Sequence, residues 1–435
     1  MPLDPHSIGI IGLVSLIVLM FSRVPVAYVM IFVGFVGFVL IRGMTPALDI
    51  MGSTFYEVLS NYNFAAIPMF ILMGYLAYYS GIIPQVFETA KKWVGHLPGG
   101  MAQVTIVGGA GFGAASGSGP AATATLSRIA IPEMIKAGVD RRLAYGVVAS
   151  AGPLAVMIPP SILMILFGII TQQSIGKLLI GGLIPGLMIA VIYMIVVYVL
   201  VKLRPTLAPS EPKVPFRERL KSLKNISAFA ILVFCVIAGL YFGLFTPTEA
   251  GAAGAFTTFV IVLVRKGFAW GILKESVLET IKTSCMIFLM IGGAHIFSYF
   301  LAITRIPTSL SQFLVSLSVE PIVILLAVIL MYVILGMFVE MVSAMFVTLP
   351  VIFPAIVALN YDPIWFGVML VFLVELALVT PPFGLSLFII RGVDQGSKMS
   401  DIYKGCVPFI IADFVILLLL ILFPEIITFL PSKMS

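Results

Sequence analysis

The chain has 435 residues, of which 61% are hydrophobic and only 10% are charged, and its mean hydropathy is +1.17. Soluble domains carry roughly 25% charged residues, and a soluble fold of this length could not bury so much apolar surface, so the composition indicates an integral membrane protein. The net charge of +6 does not indicate nucleic-acid binding, because the basic residues fall in short loops between apolar runs. Basic residues in such loops orient a protein in the membrane.

Ten membrane crossings are predicted from apolar runs, since a span needs about 20 such residues. In chain order they are about 8–22, 24–42, 62–80, 143–172, 179–201, 226–244, 247–264, 283–303, 363–392 and 406–428. Three segments that mix charged and apolar residues are typical of helices at the membrane interface: 46–61, 84–96 and 268–282. Two further apolar stretches, 98–137 and 320–360, are interrupted near the middle and are predicted to be re-entrant hairpins.

The distribution of basic residues predicts the orientation of these spans. The loop Lys202–Lys224 contains seven Lys or Arg residues, which places it in the cytoplasm. The layout then puts 21 of the 25 basic residues inside and both termini in the periplasm. The N-terminus has no basic region before the run 8–21, so this run is predicted to be a retained first helix rather than a cleaved signal peptide.

Prolines recur at a constant spacing in the two halves of the chain. Three sets lie 222 residues apart: Pro25 with Pro247, Pro132 with Pro354, and Pro159-Pro160 with Pro381-Pro382. Each half then holds five crossings and one hairpin, and an odd number of crossings inserts the second half upside down. The sequence therefore predicts an all-α polytopic membrane protein with two inverted-topology repeats, as in secondary transporters.

Breaks in these apolar helices are the candidate binding sites. A broken helix leaves backbone groups unpaired in hydrocarbon, where each costs several kcal/mol unless protein, water or an ion satisfies it. In the first hairpin, hydroxyl and carbonyl oxygens suit a hard cation such as sodium, by analogy with divalent ions. The alternative is helix packing through glycines at a spacing of four, namely Gly109, Gly113 and Gly117. The candidates here are Ser116, Gly117, Ser118, Pro120 and Thr123.

A tandem proline supplies the second candidate site. Two adjacent prolines remove two N–H donors and block the helix, and the half-helix that restarts after them points its positive N-terminal dipole into the gap, which favours an anionic group. The alternative is a simple kink. The candidates are Gly152, Ile158, Pro159, Pro160 and Ser161.

The second half of the chain supplies counterparts. Its tandem-proline break contributes Thr380, Pro381, Pro382 and Gly384, and the tip of its hairpin contributes Glu340 and Ser343. Acidic residues within membrane-spanning apolar segments cost free energy to bury, so a functional role is the default interpretation for each of them. Glu340 and Glu375 could each bind sodium, carry a proton or pair with a basic side chain, with a cation role preferred for Glu340. Asp413 is interpreted as a polar contact between helices.

Other chemistry has little support in the sequence. The chain has neither a Walker A pattern for ATP nor a His-Glu-x-x-His zinc motif. A membrane serine hydrolase with Ser116 as nucleophile is an alternative, but no histidine lies in a matching context. We therefore expect that the chain is not an enzyme and holds no cofactor.

Several motifs together resemble the large membrane subunit of tripartite ATP-independent periplasmic (TRAP) transporters. The resemblance covers nearly the whole chain, and its specificity comes from the order and spacing of the motifs. They are His96-Leu-Pro-Gly-Gly-Met101, Ala115-Ser-Gly-Ser-Gly-Pro-Ala-Ala-Thr123, Met157-Ile-Pro-Pro-Ser161, Gly181-Gly-Leu-Ile-Pro-Gly186 and Thr380-Pro-Pro-Phe-Gly384.

This resemblance implies a bacterial inner-membrane importer that uses a sodium gradient to take up organic acid anions, carboxylates or sulfonates. It implies two protein partners, a periplasmic substrate-binding protein and a separate four-helix membrane subunit. A stand-alone sodium/dicarboxylate-type symporter or an antiporter with the same hairpins is the nearest alternative.

The resemblance also implies an elevator, in which a transport domain moves the binding site against a scaffold. The scaffold would be 1–61 and 226–282, the two halves of the transport domain 62–201 and 283–435, and the cytoplasmic basic loop 202–225. One sodium site would lie between Ser116–Thr123 and Gly152–Ser161, and another between Glu340–Ser343 and Thr380–Gly384, with the substrate between them.

Overall fold

Helices account for nearly all of the chain in the computed structural model, which describes residues 4–20, 24–316, 319–339 and 341–434. The first half contains α1 (Pro5–Met20), α2 (Val26–Arg42), α3 (Met44–Ser60), α4 (Ala66–Tyr79), α5 (Ile82–Val94), α6 (Met101–Ser116), α7 (Gly119–Lys136), α8 (Arg141–Ala151), α9 (Leu154–Met157), α10 (Ile162–Thr171), α11 (Ile175–Gly181) and α12 (Leu183–Leu203). Short 3-10 helices precede α4 and follow α12, at Tyr62–Ala65 and Pro205–Leu207.

The second half continues the helical pattern. It contains α13 (Phe216–Tyr241), α14 (Pro247–Lys266), α15 (Trp270–Thr304), α16 (Ile306–Ser316), α17 (Pro321–Phe338), α18 (Met341–Ala358), α19 (Pro363–Val379), α20 (Leu385–Val393), α21 (Met399–Leu422) and α22 (Glu425–Ser432). The prediction of an all-α polytopic protein is confirmed at this level.

The ten predicted crossings all coincide with apolar helices, although not all of these helices are long. Among the described residues, four helices are long and apolar enough to cross a membrane, or up to seven spans if each of three bent helix pairs counts as one. The predicted crossing 143–172 is one such pair, Arg141–Met157 with Ile162–Thr171, bent by 44°. Other predicted crossings are shorter apolar helices, including α1, α2 and α19.

Two predicted segments differ from the structure. The interfacial segment 268–282 and the crossing 283–303 form one continuous helix, α15, of 35 residues. The charged residues of its first half, such as Lys274 and Glu275, are compatible with a helix, since they lie on the exposed side of its turns. The basic loop 202–224 is also shorter than predicted, because α13 begins at Phe216.

The helix bounds repeat with the spacing of the prolines. The second arms of the two hairpins, α7 and α18, begin and end 222 residues apart. An aspartate caps the helix that follows each hairpin, because Asp140 accepts a hydrogen bond from Arg142 N at 2.9 Å and Asp362 accepts one from Trp365 N at 2.8 Å. Equivalent local signals thus start equivalent helices in both halves.

Helix α19 lies at the centre of the core. Every residue from Ile364 to Val379 is buried, as expected for a helix that is apolar all round. In contrast, α1, α2 and α14 expose large apolar side chains, among them Phe32, Leu40 and Phe256. Such faces suit contact with lipid or another membrane subunit rather than water.

Candidate functional site

The first hairpin turns where two helices meet end to end. α6 ends at Ser116, and Gly117 follows with a left-handed backbone (φ +59°) that glycine adopts at no steric cost. Ser118 is extended and Pro120 lies in the first turn of α7, where its missing N–H costs nothing. The side chain of Ser116 lies outside the described part of the structure.

The glycine face of this hairpin packs against the first tandem-proline break. A methyl group built on Gly109 would lie 2.7 Å from Ala151 O, and one on Gly113 would lie 2.4 Å from Ala155 Cα. One on Gly117 would lie 2.6 Å from Pro160 O. The packing interpretation of these glycines is therefore confirmed, and the packing itself brings the hairpin tip to the break.

At the first break the backbone is extended over several residues. α9 ends at Met157, Ile158 is extended, and α10 restarts with Ser161 as its N-cap. The Ser161 hydroxyl accepts a hydrogen bond from Met164 N at 3.4 Å, so it is already engaged in capping. The prolyl bond Pro159-Pro160 is cis, and Pro160 presents its carbonyl oxygen to the hairpin tip.

Thr123 of the first hairpin contacts residues from both halves of the chain. Its buried hydroxyl lies 3.0 Å from Gly119 O and 3.3 Å from Ser386 Oγ. On the other side, a methyl group on Gly152 would meet Thr123 Oγ1 at 2.0 Å. Gly152 and Thr123 are thus in direct contact, and Thr123 also meets Ser386 of α20, a contact that was not predicted.

The second tandem-proline break has more of its backbone satisfied. The Thr380 hydroxyl donates to Leu376 O at 2.6 Å, and Gly384 N donates to Thr380 O at 3.1 Å. Pro382 O accepts a hydrogen bond from Tyr403 Oη at 2.9 Å. Pro381-Pro382 is also cis, as in the first half.

The tip of the second hairpin is described in part. Val339 is extended at the end of α17 and Ser343 is buried in the first turn of α18. Glu340 lies outside the described residues, so its predicted cation role stays a prediction.

A cavity of about 200 Å³ unites these elements. Its wall includes the first hairpin tip at Gly117–Pro120, Val342 of the second hairpin, and Leu378 and Leu385 on either side of the second break. A neighbouring cavity of about 320 Å³ shares Ser118 and extends past Tyr75 to Arg128. The structure thus brings both hairpins and both breaks to one place.

Three residues of this region were missed by sequence reasoning: Thr283, Arg128 and Ser386. Thr283 lines both cavities and lies 3.1 Å from Tyr75 Oη through its hydroxyl. The spacing of the motifs gave no signal for Thr283 or Ser386. Arg128, in contrast, follows the hairpin motif in sequence and was counted only as an orienting charge.

The chemistry that this site offers is that of neutral oxygens. Within the described ranges no group of three or more His, Cys, Asp or Glu side chains could hold a metal ion. Hydroxyl and carbonyl oxygens such as those of Ser118, Thr123 and Pro160 suit a weakly held monovalent cation better than a transition metal. Arg128 adds a cation at the far end of the larger cavity.

Comparison with known proteins identifies the family. Residues 13–426 match the model of the tripartite ATP-independent periplasmic transporter, DctM component. The chain belongs to this family. This DctM-family chain is 32% identical over 378 residues to the C4-dicarboxylate TRAP transporter large permease protein DctM of Pseudomonas aeruginosa, covering 87% of this chain and 86% of that protein. It is 33% identical over 426 residues to the sialic acid TRAP transporter permease protein SiaT of Haemophilus influenzae, covering 97% of this chain and 68% of that protein.

A solved structure supports the fold. The YdaH transporter of Alcanivorax borkumensis superposes on the DctM-family chain with a TM-score of 0.62 at 12% identity, covering 88% of this chain and 89% of that one. At this identity the likeness concerns the fold alone. The relatives are named as permeases, which agrees with the expectation of a non-enzyme.

Proposed function

We propose that this DctM-family chain is the large permease subunit of a sodium-coupled importer of an organic acid anion in the bacterial inner membrane. The observation that carries the proposal is the single cavity shared by both hairpins and both tandem-proline breaks. Relatives named for C4-dicarboxylates and sialic acid both handle organic acids, which supports the substrate class.

The first sodium site, in this proposal, lies between the hairpin tip and the first break. The oxygens of Ser118, Thr123 and Pro160 lie around the contact that Gly117 makes with the break. The second site lies between Ser343 and the Thr380–Gly384 break, with Glu340 as a further candidate ligand. At either site the carbonyl and hydroxyl oxygens of an interrupted helix would serve as ligands of the ion.

The substrate, in this proposal, lies between the two sodium sites, and the larger cavity is its path. Arg128 and the α10 N-terminus after Ser161 would attract its negative charge. Since sodium completes the site, each ligand would favour binding of the other.

The two halves act as inverted-topology repeats in our proposal, supported by the 222-residue spacing of helix bounds and proline pairs. Residues 62–201 and 283–435 would carry the site as a transport domain, with the second boundary inside α15, against a scaffold of 1–61 and 226–282. The elevator movement, the periplasmic termini, the separate four-helix subunit and the delivery of substrate by a periplasmic binding protein belong to the same proposal.

Sodium binding to the purified chain tests the first site without knowledge of the substrate. A ligand that binds only the folded state raises the apparent Tm with its concentration. We expect sodium chloride to raise the Tm of the wild-type chain above its value in potassium chloride of equal ionic strength. Gly117→Ala, which places a methyl group 2.6 Å from Pro160 O on a left-handed backbone, is expected to abolish this difference.

Gly392→Ala is the matched control, because nothing lies within 4 Å of the added methyl group on α20. This variant is expected to keep the full sodium effect. An equal sodium effect in Gly117→Ala and the wild type would overturn the first site, and absence of any sodium effect in the wild type would count against sodium coupling as a whole.

A further inference from the structure

Three buried polar side chains meet in the core away from the hairpin tips. Tyr193 of α12, Glu375 of α19 and Asp413 of α21 are all 0% exposed. The Tyr193 hydroxyl lies 2.6 Å from Asp413 Oδ1 and 3.3 Å from Glu375 Oε1. We call these three residues the carboxyl cluster. Among the described residues Glu375 forms no ion pair with a basic side chain, which was one of its predicted roles.

Hydrogen bonding within the carboxyl cluster requires a proton on one of its acids. A tyrosine hydroxyl has a single hydrogen, so it can donate to only one of the two carboxyl oxygens at a time. The 2.6 Å contact with Asp413 has the length of a hydrogen bond from a hydroxyl to a carboxylate. The contact with Glu375 is then satisfied if Glu375 is protonated and donates to the tyrosine oxygen.

Oxygens without a hydrogen-bond partner among the described residues lie in the carboxyl cluster and on the neighbouring helix α8. Glu375 Oε2 and Asp413 Oδ2 are buried and have no hydrogen-bond partner in the described part of the chain. Ser150 Oγ on α8 is likewise buried and unpartnered there. Buried polar groups of this kind are normally satisfied, so each calls for an explanation such as a bound ion or proton.

The register of α8 along α21 places Ser150 one turn before the level of Asp413. The helices run in the same direction, since Arg142 pairs with Asp401 at 2.9 Å and the next turn, Gly146, packs on Gly405 and Phe409. Ser150 is one turn beyond Gly146 and is therefore level with Phe409. Phe409 also packs edge-on against the Tyr193 ring, with centroids 5.5 Å apart.

The charged groups on the neighbouring helices do not neutralise the acids. Arg142 pairs with Asp401, the Tyr145 hydroxyl donates to Asp394 at 2.7 Å, and the Tyr332 hydroxyl bonds Thr348 at 2.7 Å. Cys406 is buried two turns before Asp413 on the same helix. The remaining titratable residues of the helices packed around the cluster lie toward helix ends: Arg141, Lys177, Tyr198, Lys202, Arg391, Tyr403, Lys404 and Glu425.

We propose that the carboxyl cluster is a proton-binding site, in which Glu375 and Asp413 share one proton through Tyr193. Two ionised carboxylates buried without a counter-charge are strongly disfavoured, and acids that share a site keep one proton between them. The direct oxygen contacts leave no room for a cation between Tyr193 and Asp413. Proton release would leave two negative charges among α8, α12, α19 and α21 and would loosen their packing.

Infrared spectroscopy of the purified chain in lipid nanodiscs tests this site, and it does not depend on sodium coupling or transport. A protonated carboxyl gives a carbonyl stretching band that shifts in D₂O. We expect the wild-type chain to show this band at neutral pH and to lose it only at alkaline pH. The Glu375→Gln and Tyr193→Phe variants should lose or displace the band, whereas Glu320→Gln, which changes an exposed glutamate before α17, should keep it.

The wild-type titration decides the proposal even if a variant fails to fold. Absence of the band at neutral pH would overturn the proposal. An unchanged band, at the wild-type frequency, in both correctly folded variants Glu375→Gln and Asp413→Asn would do the same. Loss of the band on addition of sodium at constant pH would show that the site binds a cation in place of a proton, which also contradicts the proposal.

Discussion

A single methyl group at Gly113 is expected to separate the first hairpin from the first break. In Gly113→Ala the added carbon would lie 2.4 Å from Ala155 Cα and 2.9 Å from Ala155 O, whereas ordinary contact begins at 3.4 Å. Because the neighbour is backbone, α6 must move by about 1 Å, and overpacking of this kind costs about 1–3 kcal/mol. The preference of a helix for alanine over glycine offsets about 1 kcal/mol of this cost, so the free energy of unfolding should fall by up to about 2 kcal/mol.

The matched control is Gly52→Ala on the exposed side of α3, where nothing lies within 4 Å of the new methyl group. Alanine favours a helix interior over glycine by about 1 kcal/mol, so this variant should be as stable as the wild type or more stable. Unfolding in nanodiscs can be followed by the fluorescence of Trp93, Trp270 and Trp365. Equal stability of Gly113→Ala and the wild type would refute the close packing of hairpin and break.

Two further predictions concern the N-cap of α8 and the titration of His96. Asp140→Ala removes the N-cap of α8, whose carboxylate accepts a hydrogen bond from Arg142 N at 2.9 Å, and should lower the free energy of unfolding by about 1 kcal/mol. The control Asp49→Ala, in the middle of α3, should change the free energy of unfolding little. Equal effects of the two substitutions would contradict the capping role. Burial, followed by the charges of Arg219 and Lys213, lowers the pKa of His96 below 6.5, so the unfolded chain takes up a proton at higher pH than the folded chain does. Stability should therefore decrease as the pH falls below 6.5 until the folded-state pKa is reached. His96→Gln should remove this part of the pH dependence of Tm. An unchanged pH profile of Tm in this variant would contradict the lowered pKa of His96.

Local sequence signals predicted the helices and hairpins well. The hairpin predicted at 98–137 is α6 and α7, which span 101–136, and Asp140 and Asp362 each mark the start of the next helix. These features depend on neighbouring residues, such as a cap, a proline or a run of glycines. The continuous helix α15 was not predicted, because the charges around Lys274 resemble an interfacial segment when only composition is considered.

Contacts between distant parts of the chain were less predictable. The resemblance implied a site between the first hairpin tip and the first break, but not the contact of Gly117 with Pro160. The contact of Thr123 with Ser386, which joins residues 263 apart, was not expected at all. Similarly, Glu375 and Asp413 were each noticed as acids, but Tyr193 gave no sign that it would lie between them. Contacts of this kind depend on the geometry with which helices pack. A single sequence does not show which faces of two distant helices will be in contact.

Transport in a reconstituted system tests the central claim most directly. Proteoliposomes would contain this chain with the proposed four-helix subunit. The proposed periplasmic binding protein would be added outside, loaded with a labelled organic acid chosen by a thermal-shift screen of that protein. An inward sodium gradient should drive accumulation of the acid, and equal sodium on both sides or potassium in its place should not. Accumulation without sodium, or by this chain alone without the binding protein, would contradict the account.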